Sequence, residues 1–278
     1  MRKKLIFLFL LLFSLVLVAC QNKDQDQSWR AIKKAGVIKV ATSGTLQLQS
    51  YHKGNKLTGY DVEIVREMAK RLGLKVKFEE MNVDGMLTAL NSQQVDLADY
   101  SIEKDSKNAD KFLYTSPHKY SFGSMVVRKS DNSGIKSLKD LKSKKAAGAA
   151  TTSYMKVAKK FGAELVIYDN VTNDVYLRDV ADGRTDVILN DYYLQKMALV
   201  ALPKIPVKIL EGVYYNPSES NFAIKKCNTQ LQKRLNQTLE AMRKDGTLTK
   251  LSKKFFANEN VSKKKDYHYR KIDVSSVE

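Results

Sequence analysis

The sequence predicts an α/β protein built as two similar lobes. Strand-like and helix-like segments alternate from Val37 onward, the order that makes a parallel or mostly parallel sheet. One helix-to-strand unit recurs at equal spacing: Leu87 stands nine residues before Asp96, and Leu177 nine before Asp186. Two extended segments, residues 124–128 and 221–224, separate the halves, and helices follow the second. A single recurring unit also arises by coincidence, so the echo supports the two-lobe reading without carrying it alone.

The elements follow in order. Residues 37–42 (Val, Ile, Lys, Val, Ala, Thr) read as the first strand. Asp61 stands where an N-cap belongs; Val65, Met68, Ala69 and Leu72 then recur at helical spacing, and Gly73 ends the helix. Leu74, Val76 and Phe78 alternate with lysines as a strand. Residues 87–93 read as a short helix and 95–98 as a strand. In the second half, Ser137 caps a short helix over 138–142, and 145–149 is a strand. Thr151, Thr152 and Ser153 precede a helix carrying Met155, Val157, Ala158 and Phe161, closed by Gly162. Residues 165–168 form a strand, 175–180 a helix, and 187–189 a strand of buried type. Asp99 and Asp191 close the two matching strands.

Leu231, Leu235, Leu239 and Met242 then mark an amphipathic helix, broken by Asp245 and Gly246; Leu248, Leu251 and Phe255 belong to a last one. If these helices return to the first lobe, two strands cross between lobes, which is a hinge geometry. The expected division is 29–124 with 222–262 for the first lobe, 125–221 for the second, and a basic tail over 263–278.

The N-terminus reads as an export signal. Arg2, Lys3 and Lys4 precede an apolar run over residues 5–18, shorter than the about 20 residues of a membrane span. The run ends in Leu17, Val18, Ala19 and Cys20. Residues 21–28 are polar and cannot bury enough surface to order themselves. Residues 1–19 are therefore read as a signal peptide and 20–28 as a tether. Cys227 is the other cysteine, so no disulfide framework is expected within the mature chain. Stability must come from a hydrophobic core, for which roughly 250 residues suffice.

The net charge is +18, from 48 basic and 30 acidic residues. Such a surface suits a protein held beside anionic lipid or wall polymer. The tail mixes Lys263, Lys264, Lys265, Tyr267, Tyr269 and Arg270, a composition also found in nucleic-acid binders. The export signal and the spread of lysines along the whole chain argue instead for a solvated tail and no nucleic-acid partner. No metal cluster, nucleophile motif or cofactor motif is evident, and His52, His118 and His268 are scattered.

Several short pieces, in order, carry a family resemblance. They are Val40, Ala41, Thr42, Ser43, Gly44 and Thr45; Leu57, Thr58, Gly59, Tyr60, Asp61, Val62 and Glu63; and Asp84, Gly85, Met86, Leu87, Thr88, Ala89 and Leu90. Tyr114, Thr115, Ser116 and Pro117 follow, then Ser137 to Leu141, Gly183 to Asp186, and Lys244 to Leu248. Each is weak alone, and their order and spacing are specific. The chain resembles the extracellular solute-binding proteins, family 3, of polar amino-acid ABC importers, over roughly Trp29 to Val261. Residues 182–186, 189–195 and 215–217 resemble most the cystine-binding lipoproteins of Gram-positive bacteria.

The resemblance implies a periplasmic-binding-protein-like (type 2) fold with a two-strand hinge and an interlobe ligand cleft. It implies a monomeric, non-enzymatic lipoprotein that binds cystine or a related sulfur or polar amino acid and passes it to an ABC permease and its ATPase. The segment ending in Cys20 resembles a lipobox, which implies lipidation there and a place on the outer face of the cytoplasmic membrane. Two acyl chains anchor firmly where one does not.

An amino acid needs donors for its carboxylate and acceptors for its ammonium. Thr151, Thr152 and Ser153 lie at a predicted helix N-terminus, whose free N–H groups favour an anion; an ordinary N-cap is the alternative. The resemblance places the ligand carboxylate near Thr151 and Thr152. Asp191 follows an apolar strand, at the carboxyl end where open α/β sheets bind ligands, and can accept bonds from an ammonium or cap the next helix. In the first lobe Leu46 stands where the family has a stacking aromatic, with Tyr51 the nearest ring, and Tyr100 and Ser101 replace the usual Gly-x-Thr. Asn108 falls where the family has the arginine that clamps the carboxylate. Lys104 or Lys107 supplies the charge without the bidentate geometry. A modified amino acid, a peptide-like sulfur compound or weakened binding therefore stay open. Two other functions fit the same fold: an enzyme similar to cyclohexadienyl dehydratases, and a sensor or surface lipoprotein that has lost transport.

Overall fold

The structure, a computed structural model, describes residues 28–46, 48–99, 111–149, 152–168 and 173–277. They form two compact units. The first comprises residues up to Pro117 with Ser220–Leu251, and the second His118–Glu219 with Ser252–Glu278.

The first unit begins with helix α1 (Ser28–Ala35) and strand β1 (Val37–Thr42). A small antiparallel sheet follows, of β2 (Thr45–Leu46), β3 (Ser50–Lys53) and β4 (Lys56–Thr58). Helix α2 (Tyr60–Leu72) buries Val62, Ile64, Val65, Met68 and Ala69; the larger of these side chains contribute about 1.5–3 kcal/mol each when fully buried. Its N-cap is Gly59, not Asp61, which lies in the first turn and is itself buried. The reason is a close approach of chain. Tyr60 and Asp61 donate their backbone N–H groups to the carbonyls of Leu48 and Gln49, so the loop satisfies the helix end. A Cβ at Gly59 would sit 2.1 Å from the Gln49 carbonyl oxygen, and its φ of 136° favours glycine. Gly73 ends the helix as expected, in the left-handed conformation.

Strand β5 (Lys75–Glu80) leads to α3 (Val83–Asn91), which starts four residues before the predicted 87 because Asn82 caps it, accepting from the Gly85 N–H at 2.9 Å. Strands β6 (Leu97–Asp99) and β7 (Phe112–Tyr114) complete this stretch.

The second unit supplies β8 (Lys119–Arg128), β9 (Lys145–Gly148), α4 (Ser153–Lys160), β10 (Glu164–Ile167), α5 (Asn173–Ala181), β11 (Val187–Asp191), α6 (Tyr192–Ala201), β12 (Val207–Ile209) and β13 (Tyr214–Ser220). The chain then returns to the first unit as β14 (Ala223–Lys225) and α7 (Thr229–Lys244). The first sheet runs β5-β1-β6-β14-β7, with β1 parallel to both β5 and β6. The second sheet includes the order β10-β9-β11-β8-β13, with β12 also paired to β8. Here β9 is parallel to β10 and β11, while β8 is antiparallel to β11.

The units change at Pro117–His118, Glu219–Ser220 and Leu251–Ser252 rather than at 124, 221 and 262. Strand β8 explains the first shift, since Gly123 to Val127 pair with β11 and so belong to the second sheet. The last change of unit falls within helix α8 (Thr247–Phe255), a passage that the sequence does not predict.

Lys263, Lys264, Arg270 and Lys271 of the tail are exposed, as expected of a solvated tail, but the segment also forms a strand. Residues Tyr269–Arg270 form β15, parallel to β13 through Tyr214 and Tyr215. Tyr267 and Tyr269 each place their rings 5.2 Å from Phe122, beside Tyr192 and Tyr214. These aromatic rings share one cluster, in which Tyr267 and Tyr269 are partly buried while the intervening charged residues stay exposed. Among the described residues, no helix is long and apolar enough to cross a membrane.

Candidate functional site

Each unit has a set of polar groups at the carboxyl ends of its parallel strands. In the second unit, β9 and β11 are parallel neighbours, so their carboxyl ends lie side by side. Helix α4 begins just beyond β9, and α6 begins directly on β11.

Thr152 is the N-cap of α4. Its Oγ1 accepts from the Met155 N–H at 3.2 Å and donates to the Ala149 carbonyl at 3.1 Å. The hydroxyl is therefore committed to the cap. What this helix start offers an anion is its first-turn N–H groups and its dipole. Ser153 is exposed in that first turn.

Asp191 performs the capping role, and its second oxygen faces a lysine. Oδ1 caps α6, accepting from the N–H groups of Tyr193 at 2.8 Å and Leu194 at 3.0 Å. Oδ2 faces Lys119 Nζ at 3.8 Å, and both side chains are over nine-tenths buried. Sequence reasoning misses Lys119: it sits between His118 and Tyr120 in an extended segment, where a lysine is ordinarily solvated. The fold instead sets it at the start of β8, opposite the end of β11. The pair gives this region one buried acceptor and one buried donor of full charge, complementary in kind to the two ends of an amino acid.

The first unit is different in character. Thr42, at the end of β1, donates to Asp99 Oδ2 at 3.2 Å and shares a 2.5 Å hydrogen bond with the Ser50 hydroxyl. Ser50 Oγ also accepts from the Gly44 N–H at 3.1 Å. Asp99 Oδ1 is buried and has no hydrogen-bond partner among the described residues. Burial, and then the charge of Asp61, push the Asp99 carboxyl well above the ordinary range, against the pull of the Thr42 hydroxyl. The two strand-closing aspartates are thus unlike. Asp191 is a paired and capping carboxylate, while Asp99 is held toward its neutral form, fit to donate a bond rather than to attract an ammonium.

Leu46 is half-buried in β2, paired with Ser50, and presents an apolar side chain where the family resemblance implies a stacking ring. Thr151, Tyr100, Ser101, Asn108 and Cys20 lie outside the described residues. Among the described residues, no group of three or more His, Cys, Asp or Glu side chains is placed to hold a metal ion.

Residues 38–258 match the bacterial extracellular solute-binding proteins, family 3. The chain is 55% identical over 280 residues to the probable ABC transporter extracellular-binding protein YckB of Bacillus subtilis, covering 98% of each. It superposes on the YckB crystal structure with a TM-score of 0.85, over 88% of this chain and 99% of that one. It is 36% identical to the L-cystine-binding protein TcyA of the same organism, over 95% of this chain and 100% of TcyA. The L-cystine solute receptor of Neisseria gonorrhoeae, in an unliganded open conformation, matches with a TM-score of 0.73 at 30% identity, over 85% of this chain and 99% of the receptor.

Proposed function

Because the chain belongs to the bacterial extracellular solute-binding proteins, family 3, we propose that it is the ligand-capturing subunit of an ABC importer, taking cystine or a related sulfur or polar amino acid. The observation that carries the reading is the buried Lys119–Asp191 pair at the strand ends where α4 also begins. An acceptor for an ammonium and donors for a carboxylate then stand at neighbouring strand ends. Two L-cystine-binding relatives point to the ligand class.

Binding is proposed to close the two units on the ligand, since a ligand that contacts both favours the closed state by its differential contacts. The protein has no chemical step of its own in this reading: it binds and hands on. A lipid anchor at Cys20 would hold it at the outer face of the membrane, beside the permease that accepts the ligand.

Calorimetric titration with L-cystine, L-cysteine and the polar amino acids tests the reading. Saturable binding of cystine or a sulfur-containing relative is expected, with a thermal shift that grows with ligand concentration by mass action. No binding by any of them rejects it.

A further inference from the structure

The family match ends at residue 258, and the residues that follow help to build a cavity on the second unit. Lys263, Lys264, Lys265 and Lys271 line a space of about 230 Å³, together with Ser121 and the single acidic wall residue Glu219. The rings of Tyr193 and Tyr269 form part of the same wall. All of these residues belong to one unit, and none of them is among the strand-end groups described above.

The charges in this wall are unevenly matched. Lys265 is met by Glu259 at 2.8 Å and lies 5.6 Å from the Tyr193 ring centre. Among the described residues, Lys263, Lys264 and Lys271 form no ion pair. Lys263, Lys264 and Lys265 adjoin in sequence, and the fold brings Lys271 to the same wall, a concentration of like charge that a bound anion would relieve.

We propose that this cavity binds a phosphate ester of a small alcohol. Lysines are compact charges that suit the rounded, multiply charged phosphate group better than a flat carboxylate, and a phosphate monoester carries about 1.5–2 negative charges at neutral pH. The volume falls below the roughly 300 Å³ at which pockets for drug-sized ligands begin, so the occupant is small. Tyr193 and Tyr269 supply apolar faces for its carbon skeleton. The same monoester group occurs in a free phosphorylated alcohol and as the head group of phosphatidic acid.

Titration of the full chain in detergent separates these sources. The probes are glycerol 3-phosphate and the short-chain lipid dihexanoyl phosphatidic acid, used below the concentration at which it forms micelles. Saturable binding of at least one is expected, weakened tenfold or more in the Lys263→Gln/Lys271→Gln variant, both positions being exposed; the tighter probe identifies the source. Affinity for L-cystine should not change in that variant. No saturable binding of either probe, or equal affinity in the lysine variant, overturns the proposal.

Discussion

Asp186 makes in the second unit the bonds that Asp96 makes in the first. Asp96 Oδ2 accepts from the Lys39 N–H at 2.8 Å while its own N–H donates to the Lys39 carbonyl. Asp186 Oδ2 accepts from the Lys145 N–H at 2.8 Å, and its N–H donates to the Lys145 carbonyl. In each unit an aspartate ahead of one parallel strand clamps its neighbour and sets their register. The nine-residue echo in the sequence therefore reports one structural device used twice. Replacing either aspartate by alanine is expected to destabilise its unit by about 1.5–3 kcal/mol, the range for a hydrogen bond to a charged group. Urea melts check this, and a change within error at both positions would show that the register is set elsewhere.

Asp191 offers a way to separate capping from charge. Asparagine is as good an N-cap as aspartate, so Asp191→Asn should keep the bonds from the N–H groups of Tyr193 and Leu194 while removing the charge that faces Lys119. Ligand affinity should fall at least tenfold, about 1.4 kcal/mol, with little loss of melting temperature. Asp191→Ala should lose both. Equal affinity in the asparagine variant, read by calorimetry, would remove the carboxylate from recognition.

The raised Asp99 carboxyl predicts a pH dependence of definite sign. Its native pKa lies above its unfolded value, so the native state holds the proton more tightly. The stability it contributes is complete below the ordinary value of 3.8 and is lost as pH rises through the raised native value. Asp99→Asn cannot ionise, so its melting temperature should gain on the wild type as pH rises across that window. A difference that stays flat with pH would place a charged carboxylate there instead.

Gly59→Ala should be strongly destabilising. The new methyl group would meet the Gln49 carbonyl at 2.1 Å on a backbone with φ 136°, so overpacking and strain add. A loss of about 1–3 kcal/mol or more is expected from such a collision. Thermal unfolding measures it, and a loss below that range would mean that the loop at 48–49 yields easily.

The elements legible in the sequence are those whose signal is local. Alternation shows β5, periodic leucines show α7, and Gly73 shows where α2 ends, because each rests on backbone geometry within a few residues. The start of α2 is not legible, because Gly59 is required by the distant carbonyl of Gln49, which no local pattern records. At the site, Asp191 is legible as an acid after an apolar strand. Lys119 is not, since its burial comes from a partner far away in sequence. The unlike states of Asp99 and Asp191 are equally hidden: both close a strand, and only burial and the nearness of Asp61 tell them apart.

The short strand at Tyr269–Arg270 has a further consequence. Without it, β13 would be an open edge, a row of unpaired backbone groups able to recruit a strand from another copy of the chain. The cover reaches Tyr214 and Tyr215, so a truncation before residue 269 is expected to expose that end of β13 to pairing with another strand.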